Sequence, residues 1–197
     1  MTIDWQTKLP DSLLDDFVAT GFVVVEACFD TALLKSLQQE SGMLGGLRDY
    51  QQAKLTHGER VSDIRGDSIR WIDEACVAGW HYLQAIEALG KFFNCTLFTG
   101  IRHAEAHYAR YPDGFGYDWH TDNPNGRDER VISAVLYLNE GWQKEFCGEL
   151  LLTDKNGVLQ IIEPKANRLV IFDSNLSHKV AITYRERFSI ATWLRRD

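Results

Sequence analysis

The chain has 197 residues, 45% of them hydrophobic, and a formal net charge of −7 at pH 7. A chain of this length can bury a core without disulfides or structural metals, and its acidic balance disfavours nucleic acid as the main partner. No stretch approaches the roughly 18 apolar residues that a membrane span needs, and the N-terminus lacks a signal-peptide pattern. We therefore expect a protein that acts in the cytoplasm.

The first half is predicted to be largely helical. DSLLDDFVATG (11–21) fits a capped amphipathic helix that ends at Gly21, and FVVVEACF (22–29) is typical of a strand. DTALLKSLQQESGML (30–44) fits a helix with Asp30 as its N-cap, and GWHYLQAIEALGKFFNC (79–95) fits another. The polar segment between them, residues 44–74, is predicted to be a mobile loop or a hairpin.

The second half changes to short runs rich in β-branched and aromatic residues, separated by turn signals. Several short strands at such intervals favour a β-sandwich or a jelly roll over a parallel α/β sheet. The predicted strands are AEAHYARY (104–111), VISAVLYLN (131–139), GELLLTD (148–154), LQIIEPK (159–165), NRLVIFD (167–173) and RFSIATWLR (187–195).

The chain shows no internal repeat and no linker. We therefore expect a single domain over residues 1–197, with helical support over about 1–100 and a jelly-roll core over about 101–197. The sequence contains no heptad run, so it predicts no particular oligomeric state. The cysteines form no CxxC pair, so we expect reduced and mostly buried thiols. They are Cys28, Cys76, Cys95 and Cys147.

Candidate metal ligands stand close together in DWHTDNPNG (118–126). In an extended chain the side chains of residues i and i+2 point to the same face, so His120 and Asp122 can reach one metal ion. His178 follows the strand-like NRLVIFD and can join them from a neighbouring strand. Two imidazoles and one carboxylate form the facial triad typical of non-haem Fe(II) oxygenases. An HxD triplet alone also arises by chance, so a metal site of this type needs support from a further residue.

A buried cation is predicted behind this metal site. Arg187 begins the strand-like RFSIATWLR and can project into the same barrel interior. Fe²⁺ with one Asp carries a charge of about +1 and a dicarboxylate such as 2-oxoglutarate brings about −2, so one guanidinium restores neutrality. The alternative is a surface arginine in a basic tail, which is our interpretation of Arg185, Arg195 and Arg196.

The order of motifs, from HxD and NPNG through EPK to His and Arg, resembles that of a known family. The sequence resembles the catalytic domain of the prolyl hydroxylases that modify the hypoxia-inducible transcription factor, and of their bacterial relatives. The resemblance runs from roughly residue 15 to the C-terminus and is densest in DIRGDSIRWI (63–72), 111–139, 162–180 and 187–193. It implies an α+β fold with a double-stranded β-helix (jelly roll, cupin-like) core supported by N-terminal helices.

The resemblance also implies a role for each matching residue. His120, Asp122 and His178 match the iron ligands, and Arg187 matches the residue that pairs with the distal carboxylate of 2-oxoglutarate. Tyr111 and Tyr137 match tyrosines of the cosubstrate pocket. Residues that match the surroundings of the target proline, or a loop that closes over the substrate peptide, are Arg130, Trp193, Arg65, Asp67 and Trp71. From the residues alone, Arg65 and Asp67 are expected to pair with each other.

Two features stand apart from this pattern. Ala191 takes the place of a Thr that the animal enzymes carry. His103 and His107 share a face with Glu105 and could form a second metal site. The spacing is not HExxH and the segment is strand-like, so we interpret these residues as structural.

The implied activity is hydroxylation of a prolyl residue in a protein substrate, giving succinate and CO₂. The implied cofactor is Fe(II), with 2-oxoglutarate and O₂ as cosubstrates and ascorbate as an additional reductant; oxygen sensing is an implied role. One alternative is the same chemistry on a free amino acid or another side chain, and the other is a non-catalytic cupin-like metal binder. Arg187 argues against the binder, and the DIRGD loop argues against a small substrate. We expect no membrane partner.

Overall fold

Two antiparallel β-sheets form the centre of the protein. The computed structural model describes residues 3–45, 50–53, 65–124 and 127–197. The strands are Phe22–Val25 (β1), Gln51–Gln52 (β2), Ser68–Trp71 (β3), His103–Tyr111 (β4), Tyr117–His120 (β5), Arg130–Tyr137 (β6), Leu150–Thr153 (β7), Leu159–Ile162 (β8), Leu169–Asp173 (β9), His178–Val180 (β10) and Arg187–Arg195 (β11). The seven-stranded sheet has the order β1-β9-β6-β11-β4-β3-β2, and the four-stranded sheet has the order β5-β10-β7-β8. This confirms the predicted α+β jelly roll.

The helices cover the outer face of the larger sheet. They are Trp5–Lys8 (α1), Asp11–Thr20 (α2), Thr31–Glu40 (α3) and Val77–Leu97 (α4), and a 3-10 helix spans Lys144–Phe146. Tyr82, Ile86 and Phe93 of α4 belong to the same buried core as Ile190 and Leu194 of β11. None of the helices in the described ranges is long and apolar enough to cross a membrane.

Side-chain alternation along β11 separates this core from a cavity between the sheets. Phe188, Ile190 and Leu194 are buried against the helices. Arg187 and Trp193 line the cavity on the other face. Because successive side chains of a strand point to opposite faces, one strand supplies both the core and the cavity wall.

Local signals set the helix ends as the sequence predicts. Gly21 adopts a left-handed φ of 83° directly after α2, and the Asp30 side chain accepts a hydrogen bond from Leu33 N at 2.8 Å at the start of α3. The start of α2 differs from the prediction, because Pro10 lies at the N-cap position and makes no side-chain cap. The α4 N-terminus is capped from a distance by Glu40, whose carboxylate accepts hydrogen bonds from Ala78 N at 2.9 Å and Gly79 N at 2.8 Å.

Several predicted elements are longer than the observed ones. The predicted strand 22–29 ends at Val25, close to Ala27 with its φ of 46°, and the predicted helix 30–44 ends at Glu40. In the polar segment 44–74, β2 pairs antiparallel with β3, as a hairpin requires. Residues 46–49 and 54–64 of that segment lie outside the described residues, as do residues 125 and 126 of the NPNG motif.

The strands predicted in the second half are all present, whereas β5 and β10 were not predicted as strands of their own. Both are short and lack a run of β-branched residues. The prediction of mostly buried cysteines holds for only part of the set: Cys28 and Cys76 are buried, Cys147 is half-buried and Cys95 is exposed, and all are free thiols.

Candidate functional site

Three side chains of the types that bind metal ions meet where β5 and β10 pair. His120 ends β5, Asp122 follows it by two residues, and His178 begins β10 directly opposite His120 in the antiparallel register. The ligand atoms of the three residues lie within 4.8 Å of one another. Within the described ranges, no other group of three or more His, Cys, Asp or Glu side chains is arranged to hold a metal ion.

Hydrogen bonds orient each of these side chains. His120 Nδ1 lies 2.7 Å from Asp118 O, and His178 Nδ1 lies 2.9 Å from Leu176 O. Because a carbonyl oxygen only accepts, each Nδ1 carries the proton and each Nε2 presents a lone pair to a metal. Burial and then the neighbouring His178 lower the pKa of His120, so its imidazole is neutral near pH 7.

Two serine hydroxyls support the carboxylate of Asp122. Ser133 Oγ donates to Asp122 Oδ2 at 2.5 Å, and Ser174 Oγ lies 2.9 Å from Ser133 Oγ. Burial raises the pKa of Asp122, but the nearby His178 and His120 and the Ser133 hydroxyl lower it by more, so the net direction is down. The three side chains therefore offer two imidazole Nε2 atoms and one carboxylate, a ligand set that suits a divalent transition metal.

Arg187 is a buried cation, with only 1% of its surface exposed. Its Nε donates to Gly148 O at 3.0 Å, and its Nη1 donates to Ser189 Oγ at 3.2 Å. No carboxylate in the part of the chain that the structure describes pairs with it. A buried guanidinium without a counter-charge is costly, so this end of the cavity fits the carboxylate of a ligand.

Two tyrosines flank this guanidinium. The Arg187 guanidinium carbon lies 5.0 Å from the ring centroids of both Tyr111 and Tyr137. The Tyr137 hydroxyl is buried and has no hydrogen-bond partner among the described residues. Because buried polar groups are nearly always hydrogen-bonded, the Tyr137 hydroxyl also fits a polar group of a ligand bound beside Arg187.

One cavity of about 310 Å³ joins these groups. Of the predicted site residues, Tyr137 alone is not part of its lining and lies beside Arg187 instead. The predicted residues that line the cavity are His120, Asp122, His178, Arg187, Tyr111, Arg130, Trp193, Arg65, Asp67 and Trp71.

The residues matched to substrate binding contact one another. Arg65 Nε pairs with Asp67 Oδ1 at 2.7 Å, and Asp67 is buried. The Arg130 guanidinium carbon lies 3.7 Å from the Trp193 ring centroid, and Arg130 Nη1 donates to Asp122 O at 3.1 Å. Trp71 is 48% exposed, so it lies where the cavity opens to solvent.

Sequence reasoning missed three residues of the site. Tyr117 stacks on His120 with a centroid distance of 3.6 Å and an interplanar angle of 19°, and Ser133 supports Asp122. His107, interpreted as structural, lines the cavity beside Trp71 and Trp193. Strand alternation in AEAHYARY places His107 and Tyr111 on one face, and this signal could have found it.

The second metal site considered at His103, Glu105 and His107 does not form among the described residues. His103 is exposed while His107 is buried. Glu105 instead forms ion pairs with Arg195 at 2.7 Å and with Arg130 at 3.4 Å.

Comparisons with known proteins agree with this geometry. Residues 106–195 match the model of the 2OG-Fe(II) oxygenase superfamily. The crystal structure of a Pseudomonas putida prolyl-4-hydroxylase is similar with a TM-score of 0.86 and 34% identity, covering 96% of this chain and 100% of that chain. A prolyl hydroxylase from Trichoplax adhaerens, in complex with a hypoxia inducible factor oxygen degradation domain peptide fragment, is similar with a TM-score of 0.88 and 28% identity, covering 100% of this chain and 94% of that one.

A human relative extends the comparison. The human prolyl hydroxylase EGLN3 is 35% identical over 159 residues, which are 76% of this chain and 66% of that protein. The chain thus spans a little less than two thirds of that relative's length. The match at full length of the solved bacterial enzyme, and the arrangement of the metal-ligating triad, lead to one conclusion: the chain belongs to the 2OG-Fe(II) oxygenase superfamily.

Proposed function

We propose that this protein is an Fe(II)- and 2-oxoglutarate-dependent dioxygenase that hydroxylates a prolyl residue in a protein substrate, giving succinate and CO₂. The observation that carries the proposal is one cavity that holds both a His-Asp-His triad and a buried arginine without a carboxylate partner among the described residues. Similarity to prolyl hydroxylases from Pseudomonas putida and Trichoplax adhaerens supports proline as the target.

The metal would be held by His120 Nε2, a carboxylate oxygen of Asp122 and His178 Nε2. Fe(II) bound there supplies the oxidation chemistry, with O₂ as the oxidant and 2-oxoglutarate as the source of two further electrons. The residues of the chain contribute orientation: the backbone carbonyls of Asp118 and Leu176 fix the two imidazoles, and Ser133 fixes the carboxylate.

The cosubstrate would extend from the metal to Arg187. Its distal carboxylate would pair with the guanidinium, and the hydroxyls of Tyr111 and Tyr137 would donate to it. A divalent metal, the Asp122 carboxylate, a dicarboxylate and one guanidinium sum to a charge of about zero, which lowers the cost of burying them together.

The substrate peptide would enter at the mouth of the cavity. Trp71 and Trp193 offer flat apolar faces that suit a proline ring, and Arg130 lies against Trp193. The ion pair of Arg65 with Asp67 would hold the adjoining segment in place and exclude water. We assign these residues to substrate binding or to its support.

Turnover of 2-oxoglutarate tests the proposal. Protein loaded with iron under anaerobic conditions is mixed with O₂ and 2-oxoglutarate, alone, with free proline and with cell-extract proteins, and ascorbate is added to keep the iron reduced. Succinate formation and the mass of proline-containing peptides are measured, with the Asp122→Ala variant as the inactive control. We expect stimulated succinate formation together with a gain of one oxygen on a peptidyl proline.

The alternatives predict other outcomes in the same experiment. Stimulation by free proline only would favour a small-molecule oxygenase. Absence of turnover under every condition, with retained metal binding, would favour a non-catalytic metal binder.

We further propose a cytoplasmic location and a role in oxygen sensing. The free thiols of the chain suit a reducing compartment, and O₂ as a cosubstrate ties the hydroxylation rate to oxygen supply. Fractionation of cells that express the protein tests the cytoplasmic location. The hydroxylation rate measured across a range of oxygen concentrations tests the second, since a sensor requires a rate that still rises at the oxygen level of the cell.

A further inference from the structure

His107 is a buried histidine in the wall of the cavity. It lies on β4 with 2% of its surface exposed, and its neighbour in register on β11 is Ala191. Its ring centroid lies 5.2 Å from that of Trp71 and 5.3 Å from that of Trp193. His107 therefore sits between the two aromatic side chains that we assign to the substrate proline.

The tautomer of His107 follows from its one hydrogen bond. Nδ1 lies 3.2 Å from Tyr108 O, and because a carbonyl only accepts, Nδ1 carries the proton. Burial lowers the pKa of His107 to about 4, so the ring is neutral at physiological pH. Nε2 is then an acceptor, and it has no hydrogen-bond partner in the part of the chain that the structure describes.

Three other polar side chains that line the cavity already have partners. Arg65 pairs with Asp67, and Arg130 donates to Asp122 O. On β11, the Thr192 hydroxyl lies 2.7 Å from the Tyr82 hydroxyl. His107 Nε2 is thus an unused acceptor in the aromatic wall of the cavity. A ligand that displaces water from this wall leaves Nε2 unpaired unless the ligand itself supplies a donor, and an unpaired acceptor carries a cost.

We propose that His107 is a substrate-binding residue whose Nε2 accepts a hydrogen bond from a main-chain N–H next to the target proline. The proposal rests on the proposed function and names its substrate class as a peptide. A prolyl residue inside a peptide has no N–H of its own, so the donor belongs to a neighbouring residue. If the donor is the residue that follows, a Pro-Pro sequence would be a poor substrate.

Peptide analogues test the hydrogen bond. A proline peptide that the wild-type enzyme hydroxylates is compared with two analogues in which an ester replaces one amide. In one analogue the ester removes the N–H of the residue before the target proline, and in the other it removes the N–H of the residue after it. For wild type, one of the two esters is expected to lower kcat/KM about five- to tenfold, the range for loss of one neutral hydrogen bond. The position of that ester identifies the donor.

Variants assign the effect to His107. His107→Leu is expected to lower kcat/KM for the amide peptide by a similar factor and to respond equally to amide and ester, while His107→Gln, which keeps an acceptor, retains part of the preference. The matched control is His103→Leu, on the same strand but exposed and outside the cavity. Urea unfolding of each variant separates a loss of binding from a loss of folding.

A measurement without turnover completes the test. In protein labelled with ¹⁵N at histidine and loaded with zinc(II) and 2-oxoglutarate, peptide binding is expected to move the His107 Nε2 resonance upfield, as for an acceptor that gains a donor. The role of His107 alone would be overturned by either of two results. One is a His107 Nε2 resonance that does not move when a peptide substrate of the wild-type enzyme binds, and the other is an ester effect that persists in His107→Leu. If wild type hydroxylates no proline peptide, the proposed function fails, and this inference fails with it.

Discussion

At the scale of single residues, the cavity and its surroundings carry polar groups that lack a counter-charge or a hydrogen-bond partner among the described residues. Within the described ranges, the Arg187 guanidinium has no carboxylate partner, and neither the neighbouring Tyr137 hydroxyl nor His107 Nε2 has a hydrogen-bond partner. The candidate metal ligands His120, Asp122 and His178 line the same cavity and are oriented by backbone carbonyls and Ser133. Each unpaired group defines a complementary feature of a ligand, since burying it alone is unfavourable.

Arg187→Ala should separate cosubstrate binding from metal binding. Loss of a charge-assisted pair with the distal carboxylate is expected to raise the KM for 2-oxoglutarate by at least about tenfold. Metal affinity, measured by titration, should change little because Arg187 is not a ligand. Arg185→Ala is the control, since the Arg185 guanidinium lies over Phe146 outside the cavity. An unchanged KM for 2-oxoglutarate would refute the role given to Arg187.

Burial of His107 should make folding stability depend on pH. Burial lowers its pKa from 6.5 to about 4, opposed by Asp67 and aided by Arg65. Between about pH 4 and 6.5 the unfolded chain therefore binds a proton that the folded chain does not, so stability falls as pH falls through this window, by up to about 1.4 kcal/mol per pH unit.

Urea unfolding at about pH 7.5 and 5.5 measures this dependence. His107→Leu should reduce the loss of stability on acidification by about 1 kcal/mol. His103→Leu should leave the loss as it is in wild type. Equal losses in wild type and His107→Leu would contradict the prediction.

At the scale of elements, one glutamate joins two helices to the larger sheet. Glu40, the last residue of α3, accepts hydrogen bonds from Ala78 N and Gly79 N at the start of α4. It also accepts one from the Tyr108 hydroxyl on β4 at 2.6 Å. The carboxylate thus replaces the side-chain N-cap that Cys76 does not provide.

Glu40→Ala should therefore destabilise the fold by about 2–3 kcal/mol, because it removes the cap of α4 and leaves a buried tyrosine hydroxyl without its acceptor. The free energy of unfolding is measured by urea titration. Glu87→Ala, an exposed glutamate within α4, is the control and should cost little. Equal stabilities of the two variants would show that Glu40 is not a structural link.

At the scale of the whole molecule, metal and cosubstrate should stabilise the folded state. A ligand at about 100 times its Kd adds about 2.7 kcal/mol, which for a chain of this size corresponds to a rise in Tm of roughly 5–10 °C. Asp122→Ala should abolish the rise caused by manganese(II), and Arg187→Ala should abolish only the further rise caused by 2-oxoglutarate.

Calorimetry of the wild type, Asp122→Ala and Arg187→Ala, with and without manganese(II) and 2-oxoglutarate, checks this expectation. Asp113→Ala, an exposed aspartate outside the cavity, is the control and should respond as wild type does. A full metal-dependent rise in Asp122→Ala would mean that the metal binds elsewhere.

The sequence by itself determined six strands of the second half, the chemical types of the candidate ligands and the order of the motifs. Side chains alternate between the two faces of a strand, so the strand that begins at Arg187 allowed its side chain to be predicted in the barrel interior. Tyr111 was assigned to the pocket only by the resemblance. The resemblance to prolyl hydroxylases supplied the jelly roll and the superfamily. The organisation as one domain stays a prediction.

Only the tertiary structure decided which distant residues meet. The register of β10 on β5 sets His178 opposite His120, and both strands are too short to be predicted from local pattern. The setting of His107 between Trp71 and Trp193 depends on the pairing of β3, β4 and β11. Local sequence encodes which face a side chain occupies, whereas strand pairing and register depend on how the whole chain buries its apolar surface.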